Sequence, residues 1–344
     1  MNCHVLVPDL FQEARAGGAP YDGLALPALE TLIARGASIR LVGASLERWL
    51  AATFRIPPAP DLPLAALSLL GDGVDPGTAC WMQADPVHLQ VHRDQLLLAG
   101  SGPLDLTAAE AGELTRALSA HFAGDGLEFI APAPEHWYVR VRDEPRVRTT
   151  PTAEAIGERI EPLLPQGEDG PRWRRIVNEA QMLLHAHPRN ETREAEGKAP
   201  VNSVWLWGAG RMPAIPRDAP YGAVWSSHPL AAGIASAAGL RLHAIPGSGI
   251  EVIETAGAAN GKPKLVILDA LRAALASGPQ AWRAALAELE LRWFAPLVDG
   301  LKRGALSSLT LHALGAKRGY NVTVARLDLF KFWRARRALN HYIV

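Results

Sequence analysis

Apolar runs and helical stripes alternate along the first part of the chain. The short apolar run from His4 to Val7 ends in Pro8-Asp9, which is typical of a buried strand that reaches the edge of a sheet. The segment LALPALETLIARG then carries leucines and an isoleucine at helical spacing, with Gly36 as its stop, and ASIRLV predicts a second strand. This β-α-β order predicts a parallel sheet with helices packed against it.

The middle of the chain has a different pattern. The segments ACWMQADPVHLQVHRDQLLL and LEFIAPAPEHWYVRV each contain two extended runs around a proline-containing turn. Between them, Thr107 and Glu110 form a capping box that opens a helix. A strand pair, a helix and a second strand pair predict an α+β unit, which we place as an inserted domain at residues 76–165. Residues 1–75 and 166–344, where β and α segments alternate again, are predicted to form the core domain.

Composition and charge narrow the class of protein. The chain has 344 residues, 48% of them hydrophobic, which is enough for a large core and about two domains. Lysine plus arginine and aspartate plus glutamate both number 35, so no net field draws the molecule to nucleic acid or to an anionic bilayer. No window approaches the roughly 18 apolar residues of a membrane span. Cys3 and Cys80 are the only cysteines, which suits a reducing compartment. Together with the charge balance and the hydropathy, this predicts a soluble cytoplasmic protein without a membrane or nucleic-acid partner.

Three chemically active side chains follow apolar runs. Asp9, Asp269 and His312 each stand where a parallel strand is expected to end, and open α/β sheets bind their ligands at that edge. Two carboxylates and an imidazole could hold a divalent ion there. The same residues could equally cap helices or bond to backbone groups. The sequence leaves both alternatives open.

The segment VNSVWLWGAGRMP, from Val201 to Pro213, could be a glycine-rich loop that binds a ligand or a strand followed by a turn. Gly208 and Gly210 form a Gly-x-Gly, but Pro213 stands where a dinucleotide-binding fingerprint has its third glycine. The segment therefore predicts a core strand that enters a tight turn. The last segment, FKFWRARRALNHYIV, is basic and aromatic. The spacing of Phe330, Trp333, Arg337 and Leu339 favours a final helix that packs one face over a nucleic-acid-binding tail.

The stretch from His187 to Pro213 resembles archaeal-type cofactor-independent phosphoglycerate mutases. It carries His-Pro-x-Asn, followed by Arg, Gly, Pro, Asn and an apolar strand that ends in Gly-x-Gly. LAALSLLGDGVDPG and YGAVWSSHPLAAGIASAAGLRLHAIPGSG are similar to further segments of those enzymes. CWMQADPVHL together with VNSVWLWG resembles a bacterial family called regulatory protein of the RpfE type, a relative of the mutases. The resemblance implies an α/β fold like that of alkaline phosphatase, with a mostly parallel sheet flanked by helices and an inserted smaller α+β domain.

The chemistry of the resembled family requires a serine nucleophile, two metal ions and cationic groups on the phosphate. Asp9 corresponds to the metal-binding aspartate after the first strand, but the nucleophile position, counted back from LSLLG, falls on Leu62. Of the later metal-binding segments only Asp269 and His312 remain, and Trp207 stands where an arginine commonly precedes the Gly-x-Gly. Because these groups are missing together, we do not expect phosphoryl transfer by the family mechanism.

Two functional hypotheses follow. The first is a non-catalytic, degenerate phosphoglycerate mutase-like protein with a regulatory role, which binds a small phosphorylated ligand or a protein partner. Its candidate polar contacts are Asp85, Asn190, Arg193 and Asn202, although hydrogen bonding within loops and turns would explain the same residues. The second is a metal-dependent phosphoesterase or phosphomutase with a rearranged site on Asp9, Asp269 and His312. Only this second hypothesis requires a divalent cofactor, Mn²⁺ or Mg²⁺.

Overall fold

The computed structural model describes residues 1–12, 20–57, 60–92, 95–98, 104–255 and 261–342. Its strands are β1 (Asn2–Phe11), β2 (Ala37–Ala44), β3 (Cys80–Val87), β4 (Leu89–His92), β5 (Gln95–Leu98), β6 (Leu127–Ala133), β7 (His136–Val141), β8 (Val147–Arg148), β9 (Gln166–Gly167), β10 (Ser203–Gly210), β11 (Ala223–Trp225), β12 (Arg241–His243), β13 (Lys264–Ile267) and β14 (Ser308–Ala325). Its α-helices are α1 (Pro27–Arg35), α2 (Leu46–Thr53), α3 (Leu64–Gly71), α4 (Ala108–His121), α5 (Thr152–Ala155), α6 (Gly170–His185), α7 (Pro188–Ala195), α8 (Pro229–Ala237), α9 (Gly249–Glu254), α10 (Ala270–Ala276), α11 (Pro279–Leu289) and α12 (Ala295–Arg303).

The chain divides into two compact units. The first unit comprises Met1–Leu50, Arg217–His228 and Ala238–Val344, and the second comprises Ala51–Pro216 and Pro229–Ala237. None of the helices in the described ranges is both long enough and apolar enough to cross a lipid bilayer.

The first unit is built on a mostly parallel sheet. Its strand order in the described residues is β12-β11-β13-β1-β14-β2, with all neighbours parallel except the antiparallel pair of β14 and the edge strand β2. Side chains from β1 pack with the apolar stripes of α1, α11 and α12 into one buried cluster. The predicted α/β fold, with a mostly parallel sheet and packed helices, is thus confirmed. It could be predicted because short apolar runs and helical stripes are patterns of neighbouring residues.

The second unit is α+β. Its main sheet, in the order β10-β3-β7-β6, is antiparallel throughout. Alternate residues of β3 serve two different clusters, since Cys80 and Met82 pack with α4 and α6 whereas Trp81 packs with α3. The period of two along a strand explains this division, because successive side chains point to opposite faces.

The division into units differs from the predicted boundaries. The predicted limits of the inserted domain, 76 and 165, both lie inside the second unit. The unit extends to residue 216 because β10 pairs with β3 along its length and α6 packs on the same sheet. It also begins earlier, at residue 51, because α3 covers the other face. Sheet pairing over more than a hundred residues of sequence leaves no local mark, so the pattern of neighbouring strands and helices does not indicate how far this unit extends.

Two glycines allow α3 and α8 to cross at very short distance within the second unit. A Cβ on Gly71 would lie 1.9 Å from the carbonyl oxygen of Pro229, and a Cβ on Gly233 would lie 1.7 Å from that of Leu67. Neither position tolerates a side chain without movement of the backbone.

The C-terminal segment differs from the prediction of a packed helix. It contains 3₁₀ turns at Arg326–Phe330 and Leu339–Tyr342 with irregular chain between them. Leu339 is buried, but Phe330 and Trp333 are 62% and 68% exposed. The prediction that these two aromatic side chains pack was wrong, because without a continuous helix their spacing does not place them on one face.

Candidate functional site

Asp9 lies near the carboxyl end of β1 in a conformation that is rare for a residue with a side chain. Its φ is +57°, in the left-handed region, which costs of order 1–3 kcal/mol for a non-glycine residue. Its carbonyl oxygen accepts hydrogen bonds from Nε1 of Trp282 at 3.0 Å and from Nε2 of Gln12 at 3.1 Å. The surrounding contacts therefore hold Asp9 in place at the ligand-binding edge of the parallel sheet.

A guanidinium group joins Asp9 to a second carboxylate. Nε of Arg272 lies 3.1 Å from Oδ2 of Asp9, and Nη1 of the same arginine lies 2.6 Å from Oε1 of Glu47. The exposed fractions of the three side chains are 23% for Arg272, 18% for Asp9 and 3% for Glu47. Arg272 reaches this position because it lies in the first turn of α10, directly after β13.

The electrostatics of the cluster follow from this pairing. Burial would raise the pKa of Glu47, but the charge and hydrogen bond of Arg272 outweigh it and lower that pKa below its ordinary value. Burial opposes the charged form of Arg272, yet Glu47 and Asp9 raise its pKa further above its already high value. Both shifts favour the charged forms of Glu47 and Arg272, and the guanidinium carries the positive charge of the cluster. Oε2 of Glu47 is buried without a hydrogen-bond partner among the described residues.

Asp269 precedes α10 and lies in the same electrostatic environment. Burial raises the pKa of its carboxyl, while a backbone hydrogen bond and the charge of Arg272 act in the opposite direction. Its side chain makes no capping bond to the helix that it precedes. The structure thus brings Asp9 and Asp269 under the influence of one cation, Arg272.

His312 has other partners. Its Nδ1 lies 2.7 Å from Oδ1 of Asn321, and its Nε2 lies 3.0 Å from Nδ1 of His4. Because an amide oxygen only accepts, Nδ1 of His312 carries the proton, and its Nε2 accepts from His4. Burial lowers the pKa of His312 to about 4; the hydrogen bond that Nδ1 donates to Asn321 offsets this only in part, and the neighbouring His4 contributes to the lowering. Trp49 packs against this ring, with 4.7 Å between the ring centroids. Both nitrogens of the neutral imidazole are therefore engaged.

These contacts do not suit a pair of metal ions. Among the described residues, no three His, Cys, Asp or Glu side chains are grouped so that they could hold one metal ion. The oxygens of Asp9 and Glu47 that meet Arg272 already have a cation, and a divalent ion placed beside it would be repelled. Oε2 of Glu47, by contrast, is buried without a partner within the described ranges. The metal site on Asp9, Asp269 and His312 stays a prediction, and the geometry gives it no support.

Asn190 and Asn202, predicted as ligand contacts, connect backbone segments of the second unit. Nδ2 of Asn190 donates to the carbonyl oxygens of Leu184 and Val201 at 2.7 and 2.8 Å, and its Oδ1 accepts from the amide of Val201 at 2.9 Å. Asn202 accepts from the amide of Leu89 at 2.7 Å and donates to the carbonyl of the same residue at 2.8 Å. The alternative of hydrogen bonding within the chain accounts for both side chains.

Arg193 and Asp85 also have partners within the unit. Arg193 is fully buried, and its guanidinium pairs with Glu110 at 2.9 Å and donates to the carbonyl oxygens of Leu104 and Ala199. Oδ2 of Asp85 accepts from Nε1 of Trp207 at 2.7 Å. The polar atoms that made these residues ligand candidates are used to hold the unit together.

The Gly-x-Gly at the end of β10 packs against the start of α3. Gly208 and Gly210 have φ values of +72° and +155°, and a Cβ on Gly210 would lie 2.5 Å from Pro63. The amide of Gly208 donates to Thr149 at 2.9 Å, and the amide of Ala209 donates to Asp61 at 3.0 Å. The glycines therefore serve a close approach of two backbone segments, as the prediction of a strand and tight turn implies.

Sequence reasoning missed Glu47 and Arg272. Glu47 lies in the first turn of α2, and no motif surrounds it. Arg272 could have been found only from its position three residues after the strand-end Asp269. A basic residue at that position falls in the first turn of the next helix, at the same sheet edge.

Comparisons with known proteins show which proteins this chain is similar to. No protein-family model matches the chain. It is 30% identical over 192 residues to a Geobacter sulfurreducens protein named "probable 2,3-bisphosphoglycerate-independent phosphoglycerate mutase", an alignment that covers 54% of this chain and 47% of that protein. It is also 30% identical over 152 residues to the 2,3-bisphosphoglycerate-independent phosphoglycerate mutase of Methanosarcina barkeri, which covers 42% of this chain and 37% of the enzyme.

The chain is thus related to these mutases over part of its sequence, and it spans less than half the length of these curated relatives. Among solved structures it is similar to the PH0037 protein from Pyrococcus horikoshii, with a TM-score of 0.50, 13% identity, and coverage of 94% of this chain and 87% of that one. At this level of identity the structural likeness concerns the fold alone.

Proposed function

We propose that this chain is a non-catalytic relative of the phosphoglycerate mutases. In this proposal it acts in regulation, like the RpfE-type proteins that its sequence resembles, by binding a small phosphorylated ligand or a protein partner. The observation that carries the proposal is the ion-paired cluster of Asp9, Arg272 and Glu47.

The cluster bears on catalysis because metal-dependent phosphoryl transfer needs carboxylates that are free to bind exchangeable divalent ions. In this chain a covalently attached guanidinium neutralises the carboxylate of Asp9 instead. A guanidinium supplies hydrogen bonds and charge, but it cannot activate a nucleophile by direct coordination. Leu62, at the position where the resemblance implies a serine nucleophile, offers no atom that could attack phosphorus.

The competing hypothesis of an active phosphoesterase or phosphomutase requires Arg272 to leave Asp9. Arg272 would keep its pair with Glu47, so metal binding would have to replace the pairing of Asp9 with the guanidinium and overcome the repulsion between the ion and that nearby cation.

Two measurements on purified chain test the proposal. The first is turnover of p-nitrophenyl phosphate and interconversion of 3- and 2-phosphoglycerate with Mn²⁺ or Mg²⁺, and we expect no activity above the protein-free blank. The second is calorimetric titration with Mn²⁺ alone, for which we expect no stoichiometric binding that depends on Asp9.

The matched variants are Asp9→Ala and Asp299→Ala, because Asp299 is an exposed aspartate on α12 that pairs only with Lys302 among the described residues. Metal-dependent turnover that is lost in Asp9→Ala and kept in Asp299→Ala would overturn the proposal in favour of the metal-dependent enzyme.

A further inference from the structure

A positively charged groove lies in the second unit, beside the end of the Gly-x-Gly segment and outside the cluster of Asp9, Arg272 and Glu47. Its volume is about 450 Å³, within the range of small-molecule sites. Three arginines line it, Arg140, Arg142 and Arg211, together with one acidic residue, Glu128. Three positive charges and one negative charge leave the lining at +2, whereas the whole chain has a net charge of zero.

Arg142 is the cation of the groove that is available for a ligand. It follows β7, is exposed, and has no hydrogen-bond or ion-pair partner within the described ranges. Its guanidinium lies over Gly126, where an added Cβ would be 3.0 Å from Cζ of the arginine. Gly126 has a φ of +73° at the end of a 3₁₀ turn, so both its conformation and the space that it leaves favour glycine.

The other two arginines are oriented by carboxylates. Arg140 and Glu128 face each other across the β6–β7 pair, with 3.0 Å between Nη2 and Oε2, and both side chains are more than half exposed. Arg211 donates to the carbonyl oxygen of Thr78, and its Nε lies 3.4 Å from Oε2 of Glu144. Exposed pairs of this kind contribute little to stability, so their arginines can change partner at small cost.

We propose that this groove binds a small molecule through its phosphate groups. Planar guanidinium groups match the oxygens of a phosphate in pairs of parallel hydrogen bonds, and three of them around one groove fit a ligand with two or more negative charges. This proposal rests on the proposed binding role of the chain, to which it adds a location and a class of ligand. Turnover and binding are measured separately, so the failure of one proposal can be told from the failure of the other.

The test is calorimetric titration of the full chain at about 0.15 M salt, where long-range attraction between exposed charges is screened. Pyrophosphate and ADP are the probes, and sulfate is the reference anion. We expect saturable binding of one pyrophosphate or ADP per chain, with sulfate weaker. Tighter binding of ADP than of pyrophosphate identifies a nucleotide as the better ligand, and the reverse order identifies a free polyphosphate.

Three variants test the location. Arg142→Gln is expected to weaken binding about tenfold, or about 1.4 kcal/mol, since it removes a charge-assisted hydrogen bond to the ligand. Glu128→Gln is expected to tighten it, because it removes a negative charge and releases Arg140. Arg159→Gln, at an exposed arginine that pairs with Glu161 outside the groove, is the matched control and leaves affinity unchanged. Equal affinity of the Arg142→Gln and parent chains, weaker binding by Glu128→Gln, or no saturable binding of either probe would overturn the proposal.

Discussion

Nε of Arg272 lies 3.1 Å from Oδ2 of Asp9, so the charge that neutralises this carboxylate belongs to the chain itself. Asp9 is held there by hydrogen bonds to its carbonyl oxygen, and Arg272 is held there by the first turn of α10. A metal ion at such a sheet edge can exchange, whereas a guanidinium in a helix cannot. The ion pair therefore stabilises the fold at this sheet edge, and its removal should lower the free energy of unfolding.

Replacement of Arg272 by methionine is expected to destabilise the chain. Methionine keeps much of the apolar volume, but Asp9 and the buried Glu47 lose their common cation, which costs about 3–5 kcal/mol. Equilibrium unfolding in urea at pH 7 measures the loss. Arg292→Met, at an exposed arginine paired with Glu288, is the control and should change stability by less than about 1 kcal/mol. Equal stabilities of the two variants would show that the buried pairing is not what holds this edge together.

The pair of Glu110 and Arg193 should make stability of the second unit depend on acid pH. Burial raises the pKa of Glu110, but hydrogen bonds from Thr107 and Arg193 outweigh it and lower the pKa to about 2, from an ordinary value of 4.5. Because the folded-state pKa is depressed, the contribution is present above pH 4.5 and is lost as the pH falls from about 4.5 to about 2.

Glu110→Gln tests this expectation. Glutamine keeps a hydrogen-bond acceptor for the capping box with Thr107, but it cannot titrate. We expect the variant to be less stable at pH 7 and to show a weaker loss of unfolding free energy between pH 4.5 and 2. The control Glu113→Gln removes a carboxylate that pairs with Arg189 on a half-exposed surface. A parent chain whose stability is flat across this pH range would contradict the assignment.

Individual strands and helices of both units could be predicted where neighbouring residues determine them. The run from His4 to Val7 predicted β1, and the capping box at Thr107 predicted the start of α4, because periodicity and capping depend on neighbours within a few residues. The extent of the second unit could not be predicted, because it depends on β10 pairing with β3 more than a hundred residues earlier in the chain.

The site was predicted only in part, for a related reason. Asp9 and Asp269 follow apolar runs, and strand-end position alone placed both near the same sheet edge. Glu47 carries no such mark, since it is brought to Arg272 by folding across 225 positions of sequence. Asn190, Asn202 and Arg193 illustrate the converse, because the sequence does not distinguish a polar residue that binds a ligand from one that bonds to the backbone.

His136 is expected to make the second unit less stable above neutral pH. A hydrogen bond from Nδ1 to Asp72 at 3.0 Å raises the pKa of the imidazole, burial opposes the shift, and the charge of Asp72 adds to it. With a raised folded-state pKa, the contribution is fully present below the ordinary histidine pKa and is lost as the pH rises through the folded-state pKa.

Asp72→Asn tests the pairing with His136. Because the imidazole is 40% exposed, solvent screens the pair, and we expect an effect of about 1 kcal/mol or less between pH 6 and 9 in urea unfolding. NMR titration of the His136 ring gives a direct measurement, in which Asp72→Asn lowers the pKa of the imidazole. Glu179→Gln is the control, because Glu179 pairs with His121 rather than with His136 and its removal should leave the His136 pKa at the parent value. An unchanged His136 pKa in Asp72→Asn would refute the pairing.

Two glycine-to-alanine substitutions in helices of the second unit are expected to change stability in opposite directions. In Gly233→Ala the new Cβ would lie 1.7 Å from the carbonyl oxygen of Leu67, so α8 must move away from α3, at a cost of about 1–3 kcal/mol or more. In Gly112→Ala, within α4, no atom outside the helix backbone lies within 4 Å of the new Cβ, and the gain in helix propensity is about 0.5–1 kcal/mol. Urea unfolding of the two variants beside the parent chain measures both effects. If Gly233→Ala were as stable as Gly112→Ala, the two helices could not cross as closely as the structure shows.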